Sequence, residues 1–182
     1  MTLKEYIEKV RLLCAEIHED DMDTDQMKRL RQKIIMAANM GAMDIARSTY
    51  PLLKSEEVSG PAHWIPPEDF LSLQQYEGGH AERFYNDTGK ECLALTEKRP
   101  YRITYRRLPK KVEAEEDSFD FPEHVMNALI YYGVYHVMSD DNDRRSFVYF
   151  KNLYDQECVN IIANRPCKLT VVRAKRGGMS VL

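Results

Sequence analysis

From Tyr101 to Arg106 polar and apolar side chains alternate, while from Pro122 to Ile161 the apolar ones return at every third or fourth position. The first period puts Tyr101, Ile103 and Tyr105 on one face of a strand and Arg102, Thr104 and Arg106 on the other; the second paints one stripe of a helix. Helical spacing also precedes residue 51, so the chain has to place a small sheet between two helical segments. Helices are predicted at residues 2–18, 24–50, 122–139 and 142–163. Thr2 and Glu5 suit a capping box for the first, whose stripe is Leu3, Tyr6, Val10, Leu13 and Ile17. The second carries Met27, Leu30, Ile34, Ala38, Gly41 and Ile45 on its buried face and stops at Pro51. Together they read as an antiparallel hairpin, with Gly41 or Ala42 allowing a neighbour to approach closely.

Strands are predicted at residues 70–76, 81–85, 91–96 and 101–106, joined through Gly78-Gly79, Asn86-Asp87-Thr88-Gly89 and Glu97-Lys98-Arg99-Pro100. In that order they make a four-stranded antiparallel meander. Residues 54–67 read as a connector, with Trp64 and Ile65 folded back on the core. Leu108-Pro109 forces an extended exit, and residues 110–120 form a charged linker without apolar periodicity. Pro122 suits the first turn of the third helix, where Val125, Leu129, Tyr132, Gly133 and His136 face inward. Asp140-Asp141-Asn142-Asp143 supplies caps for the last helix, in which Phe147, Phe150, Tyr154, Cys158 and Ile161 recur at helical spacing. The fold class is therefore mainly α with a small antiparallel β-meander: one α+β domain over residues 1–163, flanked by a basic, extended C-terminal arm over residues 164–182.

Charge is unevenly spread. The arm holds five bases and no acid, which leaves 21 bases against 29 acids in the body. An acidic body argues against wrapping nucleic acid, since phosphate binding depends on neutralising charge and releasing counterions. No apolar run is long enough for a membrane helix, and Glu5, Glu8, Glu16 and Glu19 stand where a signal peptide would be apolar, so a cytosol-like setting is expected. Cys14, Cys92, Cys158 and Cys167 show no metal-ligand spacing and read as thiols.

Reactive motifs are missing as well. GxSxG, GxGxxG, the phosphate-cradling GxxxxGK[ST] and HExxH do not occur, and His18, His63, His80, His124 and His136 are dispersed. No catalytic, metal or cofactor residue is assigned. Asp21-x-Asp23-x-Asp25 resembles the opening of a calcium loop, but Gln26 stands where the sharp turn wants Gly and Gln32 where a bidentate Glu should close the shell. Helix capping accounts for these acids better. Arg83, Arg102, Arg106, Arg107, Lys110 and Lys111, interleaved with Tyr85, Tyr101 and Tyr105, offer two readings: a nucleic-acid platform extended by the basic tail, or an exposed sheet face opposite a tyrosine-lined core. Tyr131, Tyr132, Tyr135, Phe147, Tyr149, Phe150 and Tyr154 cover more than one stripe of their helices. Either the core is wide, or part of this surface, with Arg102, Arg106, Tyr131, Tyr135 and Tyr149 as candidates, is buried against a partner.

Several short patterns recur along the chain: Ile65-Pro-Pro-Glu-Asp-Phe70, Tyr101-Arg-Ile-Thr-Tyr105, Leu108-Pro109, an acidic stretch before Phe121-Pro-Glu123, Ala128-Leu-Ile-Tyr-Tyr132, an Asp-rich turn, aromatic spacing through Tyr154, and Ala37-Ala-Asn39 with Ile45-Ala46. In these residues the chain resembles the head-tail connector, or adaptor, proteins of tailed bacteriophages over about residues 24–163. The resemblance implies a structural virion protein in the neck, assembled in the host cytoplasm. It also implies a dodecameric ring below the portal protein, which extends the DNA channel without specific DNA binding and docks stopper or tail-completion proteins. In similar adaptors a C-terminal segment reaches the portal; here that role would fall to Lys168, Leu169, Thr170, Val171, Val172 and Arg173.

Overall fold

The computed structural model describes residues 1–14, 23–139 and 144–165. The portal-arm candidates Lys168–Arg173, the Asp-rich turn and Ile17 lie outside the described residues. Those described form helices α1 (Leu3–Cys14), α2 (Thr24–Asp44), α3 (Glu123–Met138) and α4 (Arg144–Ala163), with a π-helical turn, Ile45–Thr49, extending α2. Six strands lie between them: β1 (Leu52–Ser59), β2 (Ala62–Trp64), β3 (Phe70–Glu77), β4 (Ala81–Tyr85), β5 (Glu91–Leu95) and β6 (Pro100–Arg107). The protein is thus a mixed α/β molecule with two small antiparallel sheets.

Helix α3 is the hub of the helical part. Val125, Met126, Ala128, Leu129, Ile130, Gly133, Val134, Val137 and Met138 are all buried, which leaves it apolar on nearly every side. Helices α1, α2 and α4 all lie on it, so the expected N-terminal hairpin is better described as two helices that touch α3 more than each other. Small residues set the spacing. A Cβ on Gly133 would sit 2.1 Å from the Tyr6 hydroxyl, and one on Gly41 would sit 2.6 Å from the Tyr132 ring. The capping box at Thr2 forms: its amide donates to Glu5 Oε2 at 2.9 Å and its hydroxyl accepts from the Glu5 amide at 3.3 Å. On α1 the inner stripe is Leu3, Tyr6, Ile7, Val10 and Cys14, and Leu13 is exposed. The four-residue step from Val10 to Cys14 follows the helical period where a second three-residue step would drift off the stripe.

The sheets keep one hairpin of the expected meander, β4 with β5, and break the rest. Strand β3 does not pair with β4, and β5 does not pair with β6; β6 lies between β1 and β3, and β5 lies between β2 and β4. Both sheets have the same layout, because each neighbouring pair of strands (β1–β2, β3–β4, β5–β6) is one chain path that bends from one sheet into the other. The result is a three-stranded ribbon folded over on itself, with a shared corner. Gly60, Gly78-Gly79-His80 and Glu97–Arg99 all meet there. The Gly60 amide donates to Arg99 O at 2.9 Å, the Tyr101 hydroxyl to His80 O at 2.8 Å, and the Glu97 amide to the Tyr101 hydroxyl at 3.1 Å. Gly78 has φ +123°, and a Cβ there would lie 2.3 Å from Pro100 O. The Gly-Gly pair is therefore a corner and not a hairpin turn. Residues 54–67, expected as a connector, supply β1 and β2. Trp64 is buried between the sheets with Tyr101, Ile103, Tyr105, Leu93 and Leu95, whereas Ile65 is exposed.

Overfilling a packed core costs about 1–3 kcal/mol. Gly133→Ala is expected to lose that much in urea unfolding with the denaturant slope unchanged, and Tyr6→Phe in the same chain is expected to recover part of the loss by removing the clashing oxygen.

Candidate interaction surface

Residues 108–121 carry the chain from the sheets to α3 and lie strapped across the helical body. Asn39 of α2 treats Val112 as a strand partner: its Nδ2 donates to Val112 O at 2.9 Å and its Oδ1 accepts from the Val112 amide at 3.0 Å. Val112 itself is fully buried. Further along, the Leu3 amide donates to Asp117 O at 2.8 Å, Thr2 and Ser118 form a β-bridge, and Phe119 and Phe121 insert into the helical core. This corrects the expected charged linker. Its acids project from a backbone that α1 and α2 hold, and three isolated apolar side chains anchor it. Asp120 closes the strap against the sheet, accepting from Arg107 Nη1 at 2.9 Å and from the Lys110 amide at 2.7 Å. Burial pushes the Asp120 carboxyl up, but those two bonds and the charges of Arg107 and Lys110 outweigh it and hold the group below its ordinary range.

The predicted cationic platform is largely compensated. Arg102 meets Glu57 at 3.1 Å, Arg83 meets Glu91 at 2.9 Å, Arg107 meets Asp120, and Lys111 meets Glu113 at 2.5 Å. Arg106 donates to Gln74 Oε1 at 3.2 Å. The cations thus stand on the outer side of the sheets beside their own acids, and Tyr101 and Tyr105 point the other way, buried in the sheet core. Asp23 is likewise engaged as the cap of α2, accepting from the Asp25 and Gln26 amides at 2.9 and 2.8 Å, while Gln26 returns the bond to the Asp23 amide.

The helical aromatics divide between the two readings. Tyr132, Tyr135, Phe147 and Tyr154 pack along the α3–α4 seam, with Tyr135 edge to face against Phe147 at 5.8 Å and tilted against Tyr154 at 5.7 Å. The Tyr154 hydroxyl crosses to the Asp44 carboxylate of α2, and burial together with that bond raises its pKa far above the ordinary tyrosine value. Tyr131 and Tyr135 are half-buried in this seam, so the wide core claims most of their surface. Tyr149 is different, at 60% exposure. It edges a groove with Leu12 and Leu13 of α1 and Phe150 of α4. Val148 beside it is exposed as well, and so are Val159 and Ile162 one turn apart near the end of α4, with exposed Asn152 and Asp155 between. The structure does not bring the two groups of candidates together: Arg102 and Arg106 are on the sheet, Tyr131, Tyr135 and Tyr149 on the helices.

Among the described residues no three His, Cys, Asp or Glu side chains gather to hold a metal ion, and no helix is long and apolar enough to cross a membrane. A scan against protein-family models finds no match, and neither does a search of curated proteins. The chemistry the described surface offers is contact: an apolar face on α4 and α1, and a sheet face of balanced charge.

Because the folded-state pKa of Asp120 is depressed, its contribution is complete above the unfolded value and fades as pH falls through the folded one. Stability is therefore expected to decline on acidification below about pH 5, and Asp120→Asn to lose about 1–2 kcal/mol at pH 7 with a shallower acid slope, read by thermal melts across pH.

Proposed function

We propose that this chain is a head-tail connector of a tailed bacteriophage: a structural virion protein, not an enzyme, whose copies form a ring below the portal protein. The ring would extend the DNA channel and give stopper or tail-completion proteins a surface to dock on. The observation that carries the reading is apolar surface left in water at both ends of α4. Val159 at 64% and Ile162 at 50% exposure lie one turn apart near its end, and Tyr149 at 60% lies near its start beside Leu12 of α1 at 75%. Such a face gains most of its free energy when another protein covers it. A neighbouring copy is the simplest cover, and copies joined through two different faces close into a ring when the rotation permits.

The charge pattern supports the same reading over a nucleic-acid-binding module. Platform arginines already matched by Glu57, Glu91 and Asp120 would have to give up those partners before meeting phosphate. An acidic body also suits a channel that must release DNA, because it makes no electrostatic trap. Under this proposal the basic segment 164–182 is the arm that reaches the portal.

Electron microscopy of the chain mixed with the portal protein of the same phage provides the test. Added ring density is expected with the full chain, none with residues 164–182 deleted or with Val159→Glu and Ile162→Glu combined, and each variant should keep its circular dichroism. Full-length chain that leaves the portal bare, or that elutes from a DNA column only at high salt, would replace this reading with the nucleic-acid one.

A further inference from the structure

A second groove, of about 550 Å³, opens between α2 and the strap, away from the sheet face. Its floor is apolar: Met40, Met43, Pro109 and the ring of Tyr132. Met40 is 45% exposed and Met36, one turn before it, 52%. Unbranched thioether side chains adapt their shape to an occupant and are favoured where a surface is to be covered. The rim is cationic. Arg47 and Lys110 have no carboxylate at ion-pairing distance among the described residues, although Asp117 and Asp120 feel the Lys110 charge from further off. Lys111 also lines the rim but meets Glu113 at 2.5 Å, so Arg47 and Lys110 carry its unpaired charge. Asp44 is the carboxylate within the groove; the Tyr154 hydroxyl donates to it without removing its charge, and Arg47 and Lys110 together outweigh it.

This concentration of unmatched positive charge stands on a body with 29 acids against 21 bases outside residues 164–182. An acidic segment is repelled by most of that body and attracted here, so charge selects the site as well as the ligand. The chain's own C-terminal segment is a poor occupant, since its five bases would face Arg47 and Lys110. We propose that the groove docks a short acidic amphipathic segment of another protein, with apolar anchors on Met40, Met43, Pro109 and Tyr132 and carboxylates against Arg47 and Lys110. The site stands apart from the α4 face, and its proposal does not depend on the ring.

The full chain can be titrated with a fluorescein-labelled synthetic peptide of leucines spaced three and four apart among glutamates, following anisotropy at low salt and backbone amide shifts by NMR. Saturable binding is expected, with shifts concentrated at residues 39–47 and 109–111. Added salt, or Arg47→Glu with Lys110→Glu, is expected to weaken binding at least about tenfold. Replacing the leucines of the probe by serine should abolish it. Both rim positions are exposed, so the fold should survive their reversal; Met40→Asp, which attacks the floor instead, gives a second route to the same loss. Absence of binding to the unaltered chain, equal binding by the rim variant, or shifts elsewhere on the surface overturns the proposal. So does self-association of the chain that the rim variant abolishes, since that would make a second copy the occupant.

Discussion

The paired hydrogen bonds between the Asn39 amide and the backbone of Val112 decide how the two halves of the molecule are joined. There are two hydrophobic cores, one inside the helices and one inside the folded ribbon, and what lies between them is mainly chain. The strap would be an expensive thing to order by itself, since each residue fixed in place costs on the order of 1–2 kcal/mol. Asn39 offsets that by satisfying a buried donor and acceptor at once, the way a strand would. Val112 can then bury fully, and Phe119 and Phe121 follow into the same core. With Asp120 holding Arg107 at the other end, the sheet is tied to the helices through polar contacts that have defined geometry.

That tie also fixes what the surface presents. With the strap lying along α2, Pro109 and Lys110 face Met40 and Met43, and a groove exists where a free linker would have left an open helix face. The Tyr154–Asp44 bond, at the edge of the same groove, ties α4 to α2 and leaves Val148, Val159 and Ile162 on the outer side of α4. Both apolar surfaces are thus consequences of where a few buried polar bonds place their helices. Neither follows from local hydrophobicity, which would sooner have buried those residues.

Much of the helical architecture was legible because periodicity and capping are local. Thr2 with Glu5, Pro122 at the start of α3, and the spacing from Phe147 to Ile161 all specify elements from neighbours within four residues. Four of the six strands were legible for the same reason, since β-branched and aromatic residues bounded by Gly and Asn signal extended chain. Of their pairings only the β4–β5 hairpin through Asn86–Gly89 was. Gly78-Gly79 reads equally as a hairpin turn or as a bend that carries the chain into another sheet, and the choice rests on Pro100 O and Tyr101 approaching from more than twenty positions away. Strand β1 was hidden because Lys54 and Glu56 lie on its inner side, where they bond Asp69, Tyr105 and Trp64, so its polarity imitates a loop. The strap was missed for a related reason: three anchors among seven charged neighbours carry no period, and the partner that makes them structural is a single amide on α2. Among the interface candidates, Tyr149 is exposed on α4, whereas Tyr131 and Tyr135 are drawn into the seam by aromatic partners on α4.

The distribution of charge gives the contact surfaces a common logic. Most cations of the sheet face sit beside an acid within 3.2 Å, so that face attracts neither polyanions nor polycations strongly. Arg47 and Lys110, with no acid at ion-pairing distance among the described residues, meet in one groove, while Tyr149, Val159 and Ile162 leave apolar surface in water on α4. Two separated surfaces of different character favour contacts with two different neighbours over one symmetric pairing. If each contact is modest, an assembly of many copies still holds firmly, because a subunit anchored at one surface meets its next partner at high effective concentration. Under the proposed reading no deep cleft is needed: affinity would come from repetition, and specificity from which surface is apolar and which is charged.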